Sequence, residues 1–220
     1  MEVLSTYGCG KIMEKCDLND IIECLTRTAK ILRNQPDQAL KELRQISRWI
    51  DHQVPYRDGH MQRVCVYALK IGKQLNQTES ELVTLEAAAL LHDFGKIGIN
   101  EETLVKIEPL TIEERLEIQK HVLRGYYILQ GFAELTPMLD GIRHHHEQYD
   151  GSGYPEGLAG ENISVNGKII AIVDAYDAMT SKRPYRKIKT RVEAIAELRQ
   201  CIGKQFDPHL VDVFIGMLAK

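Results

Sequence analysis

The run Leu85-Glu86-Ala87-Ala88-Ala89-Leu90-Leu91-His92-Asp93-Phe94-Gly95-Lys96 has no apolar–polar alternation; it stays apolar over a helical length and ends in polar groups. Leu85, Ala89 and His92 stand at offsets of 0, 4 and 7, so they share one helical face, and Asp93 follows Ala89 by about one turn. A carboxylate aimed inward beyond Leu90-Leu91 needs a partner, because a bare buried charge is costly.

The helical period recurs on both sides of this run. Aromatic residues are only 6% of the chain and no segment alternates over a strand's length, so the sequence predicts an all-α fold. Asn34-Gln35-Pro36 reads as a helix start. Thr78-x-x-Glu81 and Thr111-x-x-Glu114 are capping boxes, and Asp207-Pro208 is a cap followed by proline at the first helical position.

Residues 17 to about 50 read as two helices ending in Arg48-Trp49-Ile50, and Asp51 to Gly59, with Pro55, reads as a joint. Residues 1–50 are therefore taken as an N-terminal helical segment or stub and 51–220 as the main domain. The segment is expected to pack on the main body as extra helices; the alternative is a linker helix that pairs two protomers or meets a regulatory partner. Asp150 to Gly167 carries five glycines and Pro155, which predicts an irregular loop of a length that is usually functional.

With 220 residues, 44% hydrophobic and 27% charged, the chain suits one soluble domain with a short appendage. A net charge of −3 excludes a broad footprint for duplex nucleic acid. Five cysteines without a CxxC pair read as reduced thiols, hence a cytoplasmic protein. Met1-Glu2-Val3 begins no basic, apolar leader, and the longest uncharged apolar runs are Ala87–Leu91 and Ile169–Val173; neither export nor a membrane span is expected.

The chain has eight histidines, which differ in the face they occupy. His60 precedes Val64, Tyr67 and Ile71 on an inward stripe, and His121 shares a face with Ile118, Val122, Gly125 and Leu129. In a helix expected from Pro137 to His146, His145 and His146 flank the inward direction and His144 points to the rim. Ile170, Val173, Asp174, Asp177 and Ala178 share a face, which turns Asp174 inward. His52 and His209 carry no pattern and read as surface residues. Asp177 and Glu147 are either carboxylates that orient imidazoles or helix-surface carboxylates.

One inward histidine is more often a satisfied core residue than a ligand. Five with two inward aspartates demand positive charge at their centre. Imidazole and carboxylate donors without thiolate suit Fe, Mn, Zn, Ni or Co over Ca or Mg. Seven donors exceed what one such ion takes, so two divalent ions bridged by a carboxylate are the economical arrangement.

His92-Asp93-Phe94-Gly95-Lys96, with His145-His146-Glu147-x-x-Asp150-Gly151-x-Gly153-Tyr154-Pro155, resembles the paired signatures of the HD-GYP domain, a branch of the HD phosphohydrolase superfamily. The likeness runs in order from Tyr56-x-x-Gly59-His60 through His121 to Asp174-Ala175-Tyr176-Asp177, Arg183-Pro184-Tyr185-Arg186 and Phe206-Asp207-Pro208.

This resemblance implies an HD-type helical bundle with a GYP loop and a di-metal centre, usually iron or manganese, that hydrolyses cyclic di-GMP to pGpG and sometimes on to GMP. Carried over, His60, His92, Asp93 and Asp174 hold one metal, Asp93 bridges, and His121, His145 and His146 hold the other. Lys96 reaches the reacting phosphate or the bridging hydroxide, Arg183 and Arg186 grip phosphates or guanine, and Tyr154 shapes the pocket. Tyr56 stands where some relatives have an acidic third-metal ligand, so two metals are expected. The expected nucleophile is a hydroxide shared by the two ions, attacking phosphorus in line with the departing ribose oxygen. The alternatives are another HD-superfamily nucleotide phosphohydrolase and a non-hydrolysing cyclic-dinucleotide receptor.

Overall fold

The structure is a computed structural model that describes residues 17–53, 59–182 and 188–219. Tyr56, Arg183 and Arg186 lie outside the described residues.

The N-terminal helices are α1 (Leu18–Leu32), begun by a capping box between Asp17 and Asp20, and α2 (Pro36–Gln53), begun by proline at its first position. The helices α3 (His60–Gln74) and α4 (Glu79–Leu91) follow. The Thr78–Glu81 capping box starts α4, and the Thr111–Glu114 box starts α6 (Ile112–Leu129), which follows the one-turn α5 (Glu101–Val105).

Helix α4 is the hub. Leu85, Ala87, Ala88, Ala89, Leu90 and Leu91 are all fully buried, as expected of a helix apolar around its circumference. It packs against α2 and α3 as well as α7 (Leu139–His144) and α8 (Val165–Thr180). Each fully buried leucine contributes about 1.5–3 kcal/mol.

The N-terminal helices share this core through Ile21, Leu25, Leu43, Ile46 and Ile50. Polar ties accompany the packing: Asp51 Oδ2 accepts the Met61 N–H in the first turn of α3 at 3.1 Å, and Arg44 pairs with the buried Glu86 of α4. Helices α9 (Arg191–Gln200) and α10 (Pro208–Leu218) complete the order, α10 under the expected Asp207 cap. Lys168 Nζ, 2.9 Å from Asp207 Oδ2, ties α8 to that cap. Among the described residues there is no strand, and no helix is long and apolar enough to cross a membrane.

Three expected boundaries move, the first being the end of α2, which runs on to Gln53 into the stretch read as a joint. The helix expected from Pro137 to His146 is a 3₁₀ segment, Ala133–Met138, followed by α7, which ends at His144. Proline lacks the N–H an α-helical interior needs. At the other end the Ile142 carbonyl, which a continuing helix would pair with the His146 N–H, takes the His145 ring instead. Gly167, expected in a loop, lies inside α8. A Cβ there would stand 2.7 Å from His144 Cβ, so the glycine marks a close approach of α8 to α7. That approach also corrects His144: it is buried, not at the rim, and its Nδ1 accepts the Ser164 N–H at 3.2 Å.

Candidate metal centre

The seven sequence-selected donors arrive from α3, the end of α4, α6, the end of α7 and α8, and the structure brings them together. His121, His145 and His146 form one donor group and His60, His92 and Asp93 another, the atoms within each group lying within 4.8 Å of one another. Asp174, on α8, places Oδ1 3.4 Å from His60 Nε2, at the edge of the second group.

Asp93 lies between the groups because α4 stops at Leu91 and the chain tightens into a 3₁₀ turn, Phe94–Lys96. Its Oδ1 is 3.3 Å from His121 Nε2 and 4.0 Å from His145 Nε2. Its Oδ2 is 3.6 Å from His92 Nε2 and 3.7 Å from His60 Nε2. One carboxylate therefore faces both groups, an oxygen to each. Lys96 Nζ, also buried, sits 2.6 Å from Oδ2.

The ring protons are fixed by their partners. His92 Nδ1 donates to the Ala89 carbonyl at 2.9 Å, His121 Nδ1 to Ile118 at 2.6 Å, and His145 Nδ1 to Ile142 at 2.6 Å. His60 Nδ1 donates to a carboxylate, Asp177 Oδ2, at 2.7 Å. A carbonyl or carboxylate can only accept, so in each neutral ring Nε2 carries a lone pair. His146 is held by Tyr154, whose ring stacks on it at 4.9 Å and 25°.

Burial favours the neutral form of His92, His121, His145 and His146. It lowers the His92 pKa to about 4 against the opposing pull of Asp93 and Asp174. It also lowers His121, and holds His145 and His146 well below the ordinary range, neighbouring imidazoles adding to the effect in the last two. Burial raises Asp177, but the hydrogen bonds from His60 and Arg63 outweigh it and the carboxyl ends well below its usual range. Burial lifts Tyr154 far above its ordinary value, with Asp93 and Asp174 adding to it.

The donor set fits cations. His92 Nε2 is buried without a hydrogen-bond partner. His121 Nε2 and His145 Nε2 face each other at 3.4 Å. With their protons on Nδ1, two lone pairs meet there, which is unfavourable unless a cation joins them. Two nitrogens each about 2.1 Å from one ion at a near-tetrahedral angle stand about this far apart. His121, His145, His146 and Asp93 Oδ1 suit one ion; His60, His92, Asp93 Oδ2 and Asp174 suit the other.

Two carboxylates left open by sequence reasoning have definite contacts. Asp177 holds His60, as one of its two readings had it. Glu147 fits neither of its readings: it is buried and accepts the Glu156 N–H at 2.7 Å and the Leu158 N–H at 3.0 Å, fixing the loop that carries Tyr154. The run Glu147-x-x-Asp150-Gly151 signalled the loop but not the acceptor that closes it. His52 and His209 are exposed.

The fold and the site together define a helical protein with two adjacent His/Asp donor groups in its core. The chain belongs to the HD domain family, whose family model matches residues 29–210, and it carries the signatures of the HD-GYP branch. The match begins within α1, upstream of the joint read from the sequence.

The cyclic di-GMP phosphodiesterase response regulator RpfG of Xanthomonas campestris is 36% identical over 87% of this chain and 52% of its own length. The 3′3′-cGAMP-specific phosphodiesterase 3 of Vibrio cholerae is 35% identical over 72% of this chain and 35% of its own length. The chain thus spans about half or less of these curated relatives. Among solved structures, an HDG"Y"P protein of Bdellovibrio bacteriovorus superposes with a TM-score of 0.65 at 16% identity, covering 92% of this chain and 71% of that one, which supports the fold.

Proposed function

We propose that this chain is a metal-dependent phosphodiesterase that hydrolyses cyclic di-GMP to the linear dinucleotide pGpG. The observation that carries this reading is Asp93, whose two oxygens face two separate imidazole groups inside one core. The activity for which the Xanthomonas relative is named supports it.

Two divalent ions, Fe or Mn by the donor set with Zn, Ni or Co as other candidates, would supply positive charge to the phosphate and acidify water. The chain's own residues do the rest. Asp93, through one oxygen to each group, fixes the spacing of the two donor groups. Lys96, held against Asp93, places a buried ammonium where charge on the equatorial phosphate oxygens can be neutralised. Tyr154, packed on His146, walls the pocket. Arg183 and Arg186 grip the phosphates or guanine. Water adds across one P–O3′ bond, leaving a 3′-hydroxyl on one nucleotide and a 5′-phosphate on the other.

The work takes place in the cytoplasm on this reading, in keeping with the buried thiol of Cys65 in the core. Helices α1 and α2 offer a surface for a second copy or a regulatory partner.

The test is incubation of the anaerobically metal-loaded protein with cyclic di-GMP and, in parallel, 3′3′-cGAMP, the substrate named for the Vibrio relative. The expected product is pGpG, formed faster than any product of 3′3′-cGAMP. Binding without product under both iron and manganese would identify a receptor instead.

A further inference from the structure

The imidazoles of the centre are not backed alike. His92, His121 and His145 each donate Nδ1 to a carbonyl three residues earlier in their own segment. His60 donates to a carboxylate from another helix, Asp177 of α8, at 2.7 Å. Asp177 is itself clamped. Arg63 Nε donates to Oδ1 at 2.5 Å, Arg63 Nη2 to Oδ2 at 3.1 Å, and Ser181 Oγ to Oδ1 at 3.0 Å. Asp177 is buried, while the Arg63 side chain is 41% exposed, so the clamp reaches from the core to solvent.

A carboxylate behind a ligating imidazole fixes the ring and raises the basicity of its free nitrogen. Charge follows the same division. The His60 group holds Asp93 Oδ2 and has Asp174 at its edge, with Asp177 one bond further back. Among the described residues, the other group has three imidazoles and the shared Asp93 Oδ1. In a water-poor core, Asp174, within a few ångströms of one ion and further from its neighbour, favours the nearer by electrostatics, while the Arg63 guanidinium offsets the charge of Asp177 and leaves that carboxylate the task of holding the His60 ring in place.

We infer that Asp177, clamped by Arg63 and Ser181, is a positioning residue for His60 that makes the His60–His92–Asp93–Asp174 site the tighter of the two and the first to fill. The inference rests on reading the centre as a pair of metal sites.

Mn(II) alone is the probe. The full chain, stripped of metal with a chelator, is titrated anaerobically while free Mn(II) is followed by its electron paramagnetic resonance signal. Wild type is expected to take two ions with affinities at least about tenfold apart. Asp177→Asn keeps the size of the side chain and removes its charge; it should weaken the tight site about 10–100-fold and leave the weak one within about threefold. Arg63→Gln, at a half-exposed position, should weaken the same site by a smaller factor, and it carries the test if Asp177→Asn does not fold.

Equal weakening of both sites, as a general loosening of the fold would give, overturns the inference. So does an unchanged tight site, or two equal sites in the wild type. Failure of the wild type to bind any Mn(II) is a different result, and removes the paired-metal reading itself.

Discussion

Lys96 Nζ lies 2.6 Å from Asp93 Oδ2, and both side chains are buried. A pair of this kind is a poor source of net stability, since the desolvation of two ions offsets much of their attraction. Its value lies in position: the ammonium is held on the carboxylate that faces both donor groups.

Lys96→Ala should therefore separate metal binding from turnover. The seven donors remain, so metal content is expected to stay within about twofold of wild type, while cyclic di-GMP hydrolysis falls about 10²-fold or more, the usual cost of one lost transition-state contact. Elemental analysis and a product assay on the same sample check both halves. Normal hydrolysis would remove Lys96 from the reaction.

Asp93→Ala acts on both groups at once, because Oδ1 faces His121 and His145 while Oδ2 faces His60 and His92. Metal content is expected to fall from two ions per chain to near none, and turnover with it. His121→Ala touches one group and should cost mainly one ion. Comparable losses in the two variants would show that Asp93 does not bridge.

The buried imidazoles make the metal-free protein sensitive to acid. The His92 pKa is about 4 in the folded chain against an ordinary 6.5, and those of His121, His145 and His146 are also lowered. Above pH 6.5 neither the folded nor the unfolded chain carries the proton, so these rings exert no pull on folding. As the pH falls from about 6.5 towards 4 the unfolded chain binds protons that the folded one refuses, and stability is lost. His92 alone accounts for about 3 kcal/mol over that window. Chelator-treated protein should melt progressively lower from pH 7 to 5. A Tm that holds constant over that range would contradict the burial assigned to these rings.

Much of this was legible in the sequence because it rests on local periodicity. The caps at Thr78, Thr111 and Asp207, and the inward faces of His60, His121 and Asp174, follow from spacing along single helices, while His92, Asp93, His145 and His146 lie just past the ends of α4 and α7 and keep the direction those helices set. What escaped depends on where separate helices meet. Asp177 could be placed on a face, but its bond to His60 spans 117 positions. Glu147 looked like a helix residue, yet it serves a loop 9 and 11 residues on. His144 was assigned to the rim by its angle in a helix that in fact ends there, and the neighbour covering it is visible only through Gly167.

Gly95 offers the sharpest test of how the centre is assembled. It lies in the 3₁₀ turn between Asp93 and Lys96, pressed against α6, and a Cβ at this position would overlap the His121 carbonyl oxygen and the Gly125 nitrogen. Both are backbone atoms, so no side-chain rotation relieves the clash; the turn itself must lift away from α6. That movement would separate Asp93 and Lys96 from His121, the contact between the two donor groups. Gly95→Ala is expected to destabilise the protein by about 1–3 kcal/mol, as overpacking does, and to lower the ions retained per chain. Gly216→Ala is the control: it lies in α10 with nothing within 4 Å of the added methyl, and helix propensity predicts a gain of up to about 1 kcal/mol. Denaturant melts of both variants, with metal counts, decide the matter. If Gly95→Ala keeps both its stability and its two ions, the turn does not need its close seat on α6 to hold Asp93 between the donor groups.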